Sequence, residues 1–287
     1  MKSALLFVSI VCVGMVSAQQ NLLDEMEDSN EPAYVTSTFK GTRVVNGHSV
    51  ETRPGGILEF SIMHRFGTLN SGGYELWGLD YSTIRLGLEY SISDRLVLAI
   101  GRSSFDKSYD TYLKYKALRQ AKGISVVTIT GLAGMAYNSS MPKNESDVSN
   151  SDAMAYSAQL LIARKFSQRF SIQVSPTMIH RNRVDQSAEV NTLYSIGLAA
   201  RVSITRSFSI NTEYYPRLNE HDENPNFNAL GFALEFETGG HVFQLIFTNS
   251  LGMMERRMVA ETEDDFFSGD IHFGFNITRT FQLAGKR

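Results

Sequence analysis

"YSIGLAARVSITRSFSINTEYY", residues 194–215, decides the fold, because it holds two runs of alternating residues joined by one short polar turn. Apolar side chains occupy every second position from Tyr194 to Ile204 and, except for Thr212, again from Phe208 to Tyr214. Small or polar residues fill most of the positions between them. A period of two residues is that of a β-strand. Runs of about 9–12 residues suit a tilted strand that crosses a bilayer, whereas soluble strands are mostly about five or six residues long.

The same design recurs along the chain, as "YSISDRLVLAI" at 90–100, "RKFSQRFSIQV" at 164–174 and "FNITRTFQLAG" at 275–285. The last copy has no strand to turn into, so we expect it to close the sheet by pairing with the first strand. Closure leaves no unpaired backbone edge in hydrocarbon. Gly, Ala, Ser and Asn dominate the polar faces, which is typical of a crowded barrel interior and not of the solvent surface of a β-sandwich.

The connections alternate in length, which is the pattern of an outer-membrane barrel. The short ones fall near 93–94, 120–123, 167–168, 205–207 and 238–240, and the long ones span 67–80, 137–152, 181–190, 216–228 and 249–268. A shorter link falls near 104–109. We therefore predict an all-β fold, an antiparallel transmembrane β-barrel of about 12 strands over residues 55–287. An even number of strands places the N- and C-termini of the chain on the same side of the membrane, the periplasmic side.

The N-terminal region has two parts that differ from the barrel. Residues 1–18 have one lysine, an apolar run and small residues before Ala18, which predicts a cleaved secretory signal peptide and a location in the cell outer membrane of a Gram-negative organism. Residues 19–54 begin acidic and continue with enough Val and Thr for a short extended segment. They could form a periplasmic tail or fold into the lumen as a plug, and of the two we prefer the tail.

Three segments resemble a β-barrel family of Bacteroidota, the domain-of-unknown-function family numbered 5777. They are "HRFG" at 64–67, "WGLDYSTIRLGLEY" at 77–90 and "GRSSFDKSYDTYLKYKALRQ" at 101–120. The resemblance is specific over about 55–120 and follows only the general pattern beyond. It implies a Gram-negative outer-membrane protein of that phylum, and it brings no activity, ligand or catalytic residue to transfer.

Charged residues on the polar faces are the candidates for the lumen lining. The predicted lumen candidates are Arg65, Arg85, Glu89, Lys114, Lys116, Arg201, Glu213 and Glu235. With Lys165, Arg217, Glu59, Asp110 and Glu237, which the same pattern places on the inner face, the set has seven basic and six acidic residues. The two signs nearly balance, which argues against a strongly ion-selective field and is typical of charges that pair across a narrow barrel. Arg181 and Arg183, at the start of a long loop, are candidates for contacts with lipid headgroups, including lipopolysaccharide phosphate.

Function is less determined than fold. A narrow, porin-like pore for small solutes is our first hypothesis, and a non-conducting structural or partner-binding barrel in an envelope complex is the second. We expect no enzyme, although His64, His180 and Asp264 near the outer rim keep a hydrolase as a third alternative. We predict no cofactor and no metal site. The expected partners are outer-membrane lipid, lipopolysaccharide and the barrel-assembly machinery, and the net charge of −3 gives no support for nucleic acid.

Overall fold

Twelve β-strands account for most of the computed structural model, which describes residues 33–141, 149–184, 188–221 and 223–284. The strands are β1 Ile57–Thr68, β2 Ser82–Ser91, β3 Leu96–Ser103, β4 Tyr109–Leu118, β5 Thr128–Tyr137, β6 Met154–Lys165, β7 Phe170–Arg181, β8 Thr192–Ser203, β9 Phe208–Tyr215, β10 Ala229–Thr238, β11 His241–Thr248 and β12 His272–Gln282. The predicted signal peptide and residues 19–32 lie outside the described residues.

Helical turns occur only in the connections of the described chain. They are the 3₁₀ turns Leu69–Ser71, Gly73–Gly78, Phe105–Lys107 and Phe266–Ser268 and the π-helical turn Arg256–Ala260. Within the described ranges, no helix is both long and apolar enough to cross a membrane.

The strands form one closed antiparallel barrel in which each strand pairs with its neighbours in sequence and β1 pairs with β12. The closing register runs from Ile57 opposite Gln282 to Arg65 opposite Gly274, and shifts near Thr68. Residues 275–282 of the last repeated stretch thus lie in the closing strand, as predicted. The prediction of a 12-strand transmembrane-type barrel is confirmed.

Side chains alternate between the barrel interior and the outer surface in the predicted register. On β3, Val97 and Ala99 are buried, while Leu98 and Ile100 are 50% and 60% exposed. The other strands repeat this arrangement, so large apolar side chains cover the outer wall and small or polar ones face inward. An apolar outer surface on this scale requires lipid as its solvent.

The connections divide the barrel into a short-turn end and a long-loop end. Residues 92–95, 166–169, 204–207 and 239–240 join strands at the short-turn end, together with 119–127, which is longer than predicted. Residues 69–81, 104–108, 138–153, 182–191, 216–228 and 249–271 join strands at the long-loop end. β1 begins and β12 finishes at the short-turn end, because Ile57 pairs with Gln282.

The residues before β1 do not stay outside the barrel. Residues 38–53, here called the hairpin, lie within the lumen, and Val45, His48 and Val50 are completely buried there. This is the second of the two alternatives for residues 19–54, and it replaces the periplasmic tail that we preferred for this part of the chain. The physical reason is mutual. The valines of the segment pack against apolar wall residues, and the polar wall residues form hydrogen bonds with the segment.

A charge on the outer wall provides a test of the membrane assignment. We expect Leu98→Lys to lower the free energy of unfolding from lipid vesicles by about 1–2 kcal/mol, because a lysine on the lipid-facing wall between the interface and the midplane loses part of its hydration. Denaturant titration of vesicle-embedded protein measures the change, and Leu98→Phe, which keeps the wall apolar, serves as the control. A Leu98→Lys protein as stable as the control would show that this face is not in hydrocarbon.

Candidate functional site

The hairpin enters and leaves the lumen at the short-turn end. Its two arms are joined by the Val44 N–H, which donates to the Gly47 carbonyl at 2.8 Å, and by the Ser49 N–H, which donates to the Thr42 carbonyl at 3.0 Å. The Thr52 hydroxyl donates to the Asp94 carbonyl in the turn between β2 and β3 at 2.7 Å. The tip around Asn46 therefore points toward the long-loop end, and both arms lead back to the same mouth.

A buried carboxylate on β9 holds the tip of the hairpin. Glu213 accepts backbone N–H groups from Val45 at 3.2 Å, Asn46 at 2.8 Å and Gly47 at 2.9 Å. The Asn46 side-chain oxygen accepts from the Arg65 guanidinium at 2.7 Å. Hydrogen bonds to a charged acceptor are stronger than neutral ones, so this cradle is the most specific anchor of the hairpin.

The tip also fits closely against the wall. A Cβ on Gly47 would lie 2.9 Å from the Tyr215 Cζ atom, nearer than carbon atoms approach in folded proteins. Because Tyr215 is buried, it has little room to move away. Glycine is therefore needed at 47 for space.

We expect Gly47→Ala to displace the tip and to lower the free energy of unfolding by about 1–3 kcal/mol, the usual cost of overpacking a buried site. The measurement is denaturant unfolding combined with hydrogen exchange of the hairpin amides. Gly131→Ala is the matched control, since a Cβ there meets nothing within 4 Å. Equal stability and equal exchange in the two variants would contradict the close fit.

The middle of the hairpin is held by both apolar and polar contacts. Phe39, Val44, Val45 and Val50 form one buried cluster with wall residues that face inward, namely Leu161, Ala163, Ala199, Ala233 and Ile246. The Val50 N–H donates to the Gln173 side chain at 2.8 Å, and the Val50 carbonyl accepts from Thr130 at 2.9 Å. Burial of each valine contributes about 1.5–3 kcal/mol, so the hairpin is a packed element of the interior.

The base of the hairpin is bonded to charged wall residues. Lys114 donates to the Glu51 carbonyl at 2.8 Å, and Lys116 lies 3.4 Å from the Glu51 carboxylate. On the other arm, the Thr42 hydroxyl donates to Glu59 at 2.6 Å and lies 3.2 Å from a Glu89 carboxylate oxygen.

A second insertion enters the lumen from the opposite end. The connection 249–271 buries Met253, Met254, Met258 and Val259 inside the barrel. Its Glu255 carboxylate accepts from Arg43 of the hairpin at 2.8 Å and lies 2.8 Å from the His48 Nε2 atom. The hairpin and this loop are thus joined by one buried ionic contact, which we call the clasp.

Charge keeps the clasp ionised. Burial favours the neutral acid, but the Arg43 guanidinium and His48 hold the pKa of Glu255 below its usual range. A group whose folded-state pKa is depressed stabilises the fold above its unfolded pKa, and that stabilisation is lost only as the pH falls toward the folded value. The clasp therefore holds at neutral pH, and its contribution to stability declines progressively as the pH falls below the ordinary pKa of a glutamate.

Arg181 does not reach lipid headgroups, which corrects that prediction. Its side chain is buried at the long-loop end and lies 2.8 Å from the Glu189 carboxylate and 3.2 Å from that of Glu261. Two loops supply these carboxylates, so the arginine is enclosed by partners that the strand pattern could not reveal. Arg183 is exposed, and its contact with lipid headgroups stays a prediction.

The predicted lumen residues do face the interior, but contacts within the protein engage them. Arg65, Lys114, Lys116, Glu89 and Glu213 bond the hairpin. The Arg85 Nε atom donates to Asp110 at 3.0 Å, the Arg201 Nε atom lies 3.7 Å from the Glu235 carboxylate, and Glu235 also accepts from Ser209, Asn211 and Gln244. The strand pattern did not reveal the hairpin partners of these charges, above all Asn46 and Gly47, and it did not reveal the clasp residue Glu255.

Each of the residues considered for hydrolysis contacts a partner outside that set. Asp264 bonds His272, with 2.8 Å between Oδ2 and Nε2, and the other ring nitrogen of His272 is 2.8 Å from the Phe66 carbonyl. His64 stacks on Phe275, with ring centroids 5.0 Å apart, and His180 bonds Thr192 at 2.8 Å. The described residues contain no cluster of His, Cys, Asp and Glu suited to a metal ion.

Fold and lumen together define a membrane β-barrel whose interior is occupied by parts of its own chain. The chain belongs to the family described as "Membrane bound beta barrel domain (DUF5777)", which matches residues 39–281. The match begins within the hairpin, so the family domain includes the lumen segment as well as the strands. A comparison with curated proteins finds no match.

Solved structures with a similar fold include the NanC porin, at 10% identity and a TM-score of 0.49, covering 79% of this chain and 100% of that one. The KdgM porin has 9% identity and a TM-score of 0.48, with coverage of 78% and 99%. The COG4313 outer membrane channel from Pseudomonas putida F1 has 13% identity and a TM-score of 0.48, with coverage of 81% and 98%.

Proposed function

We propose that the protein is a plugged outer-membrane channel for small polar solutes, and that the hairpin closes it. The observation that carries the proposal is the hairpin's position, inside a lumen with many polar wall residues and covalently continuous with the barrel at the short-turn mouth. A barrel of twelve strands encloses more space than its own wall residues need. The chain fills that space with a segment that is not part of the wall.

The route by which the hairpin can leave supports a channel. Both arms of the hairpin return to the short-turn end. The hairpin can therefore be withdrawn toward that side without breaking the pairing between any two strands of the barrel. Withdrawal breaks the hydrogen bonds that hold the hairpin at Glu213, Gln173, Lys114 and the clasp, and it exposes the apolar cluster around Val50. The barrel itself keeps its complete ladder and its seal against lipid.

The open lumen would carry balanced charge. Removal of the hairpin frees basic groups at Arg65, Lys114 and Lys116 and acidic groups at Glu59 and Glu213. Mixed signs around one lumen give weak preference for either ion class. We therefore propose neutral or zwitterionic polar solutes as cargo, with no catalytic step and no cofactor.

Location and partners follow from the same proposal. A cleaved signal at residues 1–18 would deliver the chain to the periplasm of a Gram-negative cell, and the barrel-assembly machinery would insert it into the outer membrane. The short turns would then face the periplasm, and the long loops would face lipopolysaccharide and the medium. Withdrawal of the hairpin would therefore proceed toward the periplasm.

One observation favours a second candidate, a permanently filled barrel that acts as a structural or partner-binding element. Phe39, Val44 and Val50 are almost fully buried against wall residues such as Leu161 and Ile246. Displacement of the hairpin exposes this apolar surface to water, which costs free energy. Under this alternative the hairpin never leaves, and a partner in the envelope binds the loops or the N-terminal region.

Solute flux through liposomes separates the two candidates. We would compare the mature chain from Gln19, a control that starts at Val35 and keeps the hairpin, and a chain that starts at Gly55 and lacks it. The channel predicts tight liposomes for the first two proteins and leakage of small sugars and amino acids for the third. Tight liposomes for all three would favour the filled barrel.

A further inference from the structure

The short-turn mouth contains a cavity of about 640 Å³ between the hairpin and the barrel wall. Two adjacent turns form its rim, and they are joined because the Ser203 N–H donates to the Arg169 carbonyl at 2.8 Å. Ser37 and Lys40 of the N-terminal segment line the same cavity. The space is therefore shared between the entering segment and the wall, and it is not used by any of the anchors of the hairpin tip.

Positive charge surrounds this cavity. Its basic lining residues are Lys40, Lys165, Arg169, Arg201 and Arg206. Acidic groups offset only part of this charge, since Lys40 pairs with Glu237 and Arg201 lies 3.7 Å from Glu235. Arg169 and Arg206 have no ion-pair partner within the described part of the chain and are exposed at the mouth.

The chemistry of this lining indicates what it can bind. Guanidinium and ammonium groups donate hydrogen bonds and accept none, so a cavity lined by several of them fits a ligand with acceptor atoms. Phosphate and carboxylate oxygens are such acceptors, and arginine binds both in bidentate geometry.

We propose that this cavity is a binding site for a small soluble polyanion that carries two or more phosphate or carboxylate groups. The volume falls in the range of small-molecule sites and exceeds what a single phosphate group fills. Arg201 and Ser203 face the lumen, so the ligand comes from the aqueous mouth and not from the lipid. Because Ser37 and Lys40 form one side, a bound polyanion bridges the N-terminal segment and the wall and stabilises the plugged arrangement. The proposal holds whether or not the barrel conducts solutes.

Isothermal titration of the full mature protein in a neutral detergent tests the site, with tripolyphosphate and citrate as probes at constant ionic strength. We expect saturable binding of one probe molecule per barrel. Arg169→Gln combined with Arg206→Gln should weaken it at least about tenfold, because each removes a charge-assisted contact. Both side chains are exposed, so the double variant should fold normally.

Arg95→Gln with Lys122→Gln is the matched control, since it removes two exposed positive charges from other short turns. We expect binding by this control to stay within about twofold of the original protein. Equal weakening in the two double variants, or no saturable binding at all, would overturn the proposal. Competition by phosphatidylglycerol in nanodiscs would also overturn it, because the site would then belong to lipid headgroups.

Hydrogen exchange of the hairpin amides provides a second measurement. Non-specific attraction of an anion to the basic mouth would leave the exchange rates of these amides unchanged. Bound tripolyphosphate should slow exchange in residues 38–53 of the original protein and leave it unchanged in the Arg169→Gln, Arg206→Gln variant. Unchanged exchange in the original protein despite saturable binding would overturn the bridging role.

Discussion

Replacement of Glu213 by alanine is expected to release the tip of the hairpin from the lumen wall. The change leaves the buried N–H groups of Val45, Asn46 and Gly47 without their acceptor, at a cost of about 1–3 kcal/mol for each group. Hydrogen exchange of these amides should accelerate by about a hundredfold or more. The barrel strands should keep their protection, because Glu213 contributes to the ladder only through its backbone.

Glu237→Ala is the control for this variant. Glu237 also follows the alternating pattern and pairs with Lys40, but it lies at the short-turn end and holds none of the tip amides. Exchange at residues 45–47 should remain slow in the control. Slow exchange in Glu213→Ala would show that other contacts position the tip, and that the carboxylate cradle is not its main anchor.

Replacement of Glu255 by glutamine is expected to uncouple the two insertions that fill the lumen. The Arg43 guanidinium would then lie buried without its carboxylate, and the loss of one partner of a buried ion pair typically costs about 3–5 kcal/mol. Both the hairpin and residues 252–260 should become accessible to protease. Glutamine keeps the size of the side chain, so the effect reports charge and not packing.

A double-mutant cycle gives the control. Arg43→Gln added to Glu255→Gln removes both members of the pair, and we expect the double variant to be more stable than the sum of the single changes predicts. Denaturant unfolding measures all four proteins. Additive effects on the free energy of unfolding would mean that Arg43 and Glu255 do not interact, in conflict with the 2.8 Å separation between them.

The barrel was predictable because lipid imposes a simple rule on every strand. Leu98 and Ile100 face hydrocarbon while Val97 and Ala99 face the lumen, so local alternation alone determines both the strand and its register. The link 119–127 was the least well predicted connection. Lys122 and Gly123 are typical of a tight turn, but β4 ends at Leu118 and β5 begins only at Thr128, which leaves a longer connection than the alternation suggests.

The contents of the lumen were not predictable in the same way. Gly47 and Glu213 are separated by 166 residues, and no periodic signal connects them. Glu255 lies within a connection whose composition is typical of a long polar loop. For that loop the available signal was the apolar set Met253, Met254, Met258 and Val259, since four such residues are unfavourable in a solvated loop.

Single-channel recording from the chain that starts at Gly55, with a peptide of residues 35–54 added to one side at a time, tests most directly whether the hairpin plugs a channel. A tag after β12 marks the short-turn end. We expect the full-length protein to stay closed, the shortened chain to conduct, and the peptide to block the current from the short-turn side only. A full-length protein that conducts as well as the shortened chain, or a shortened chain that stays closed, would contradict the account.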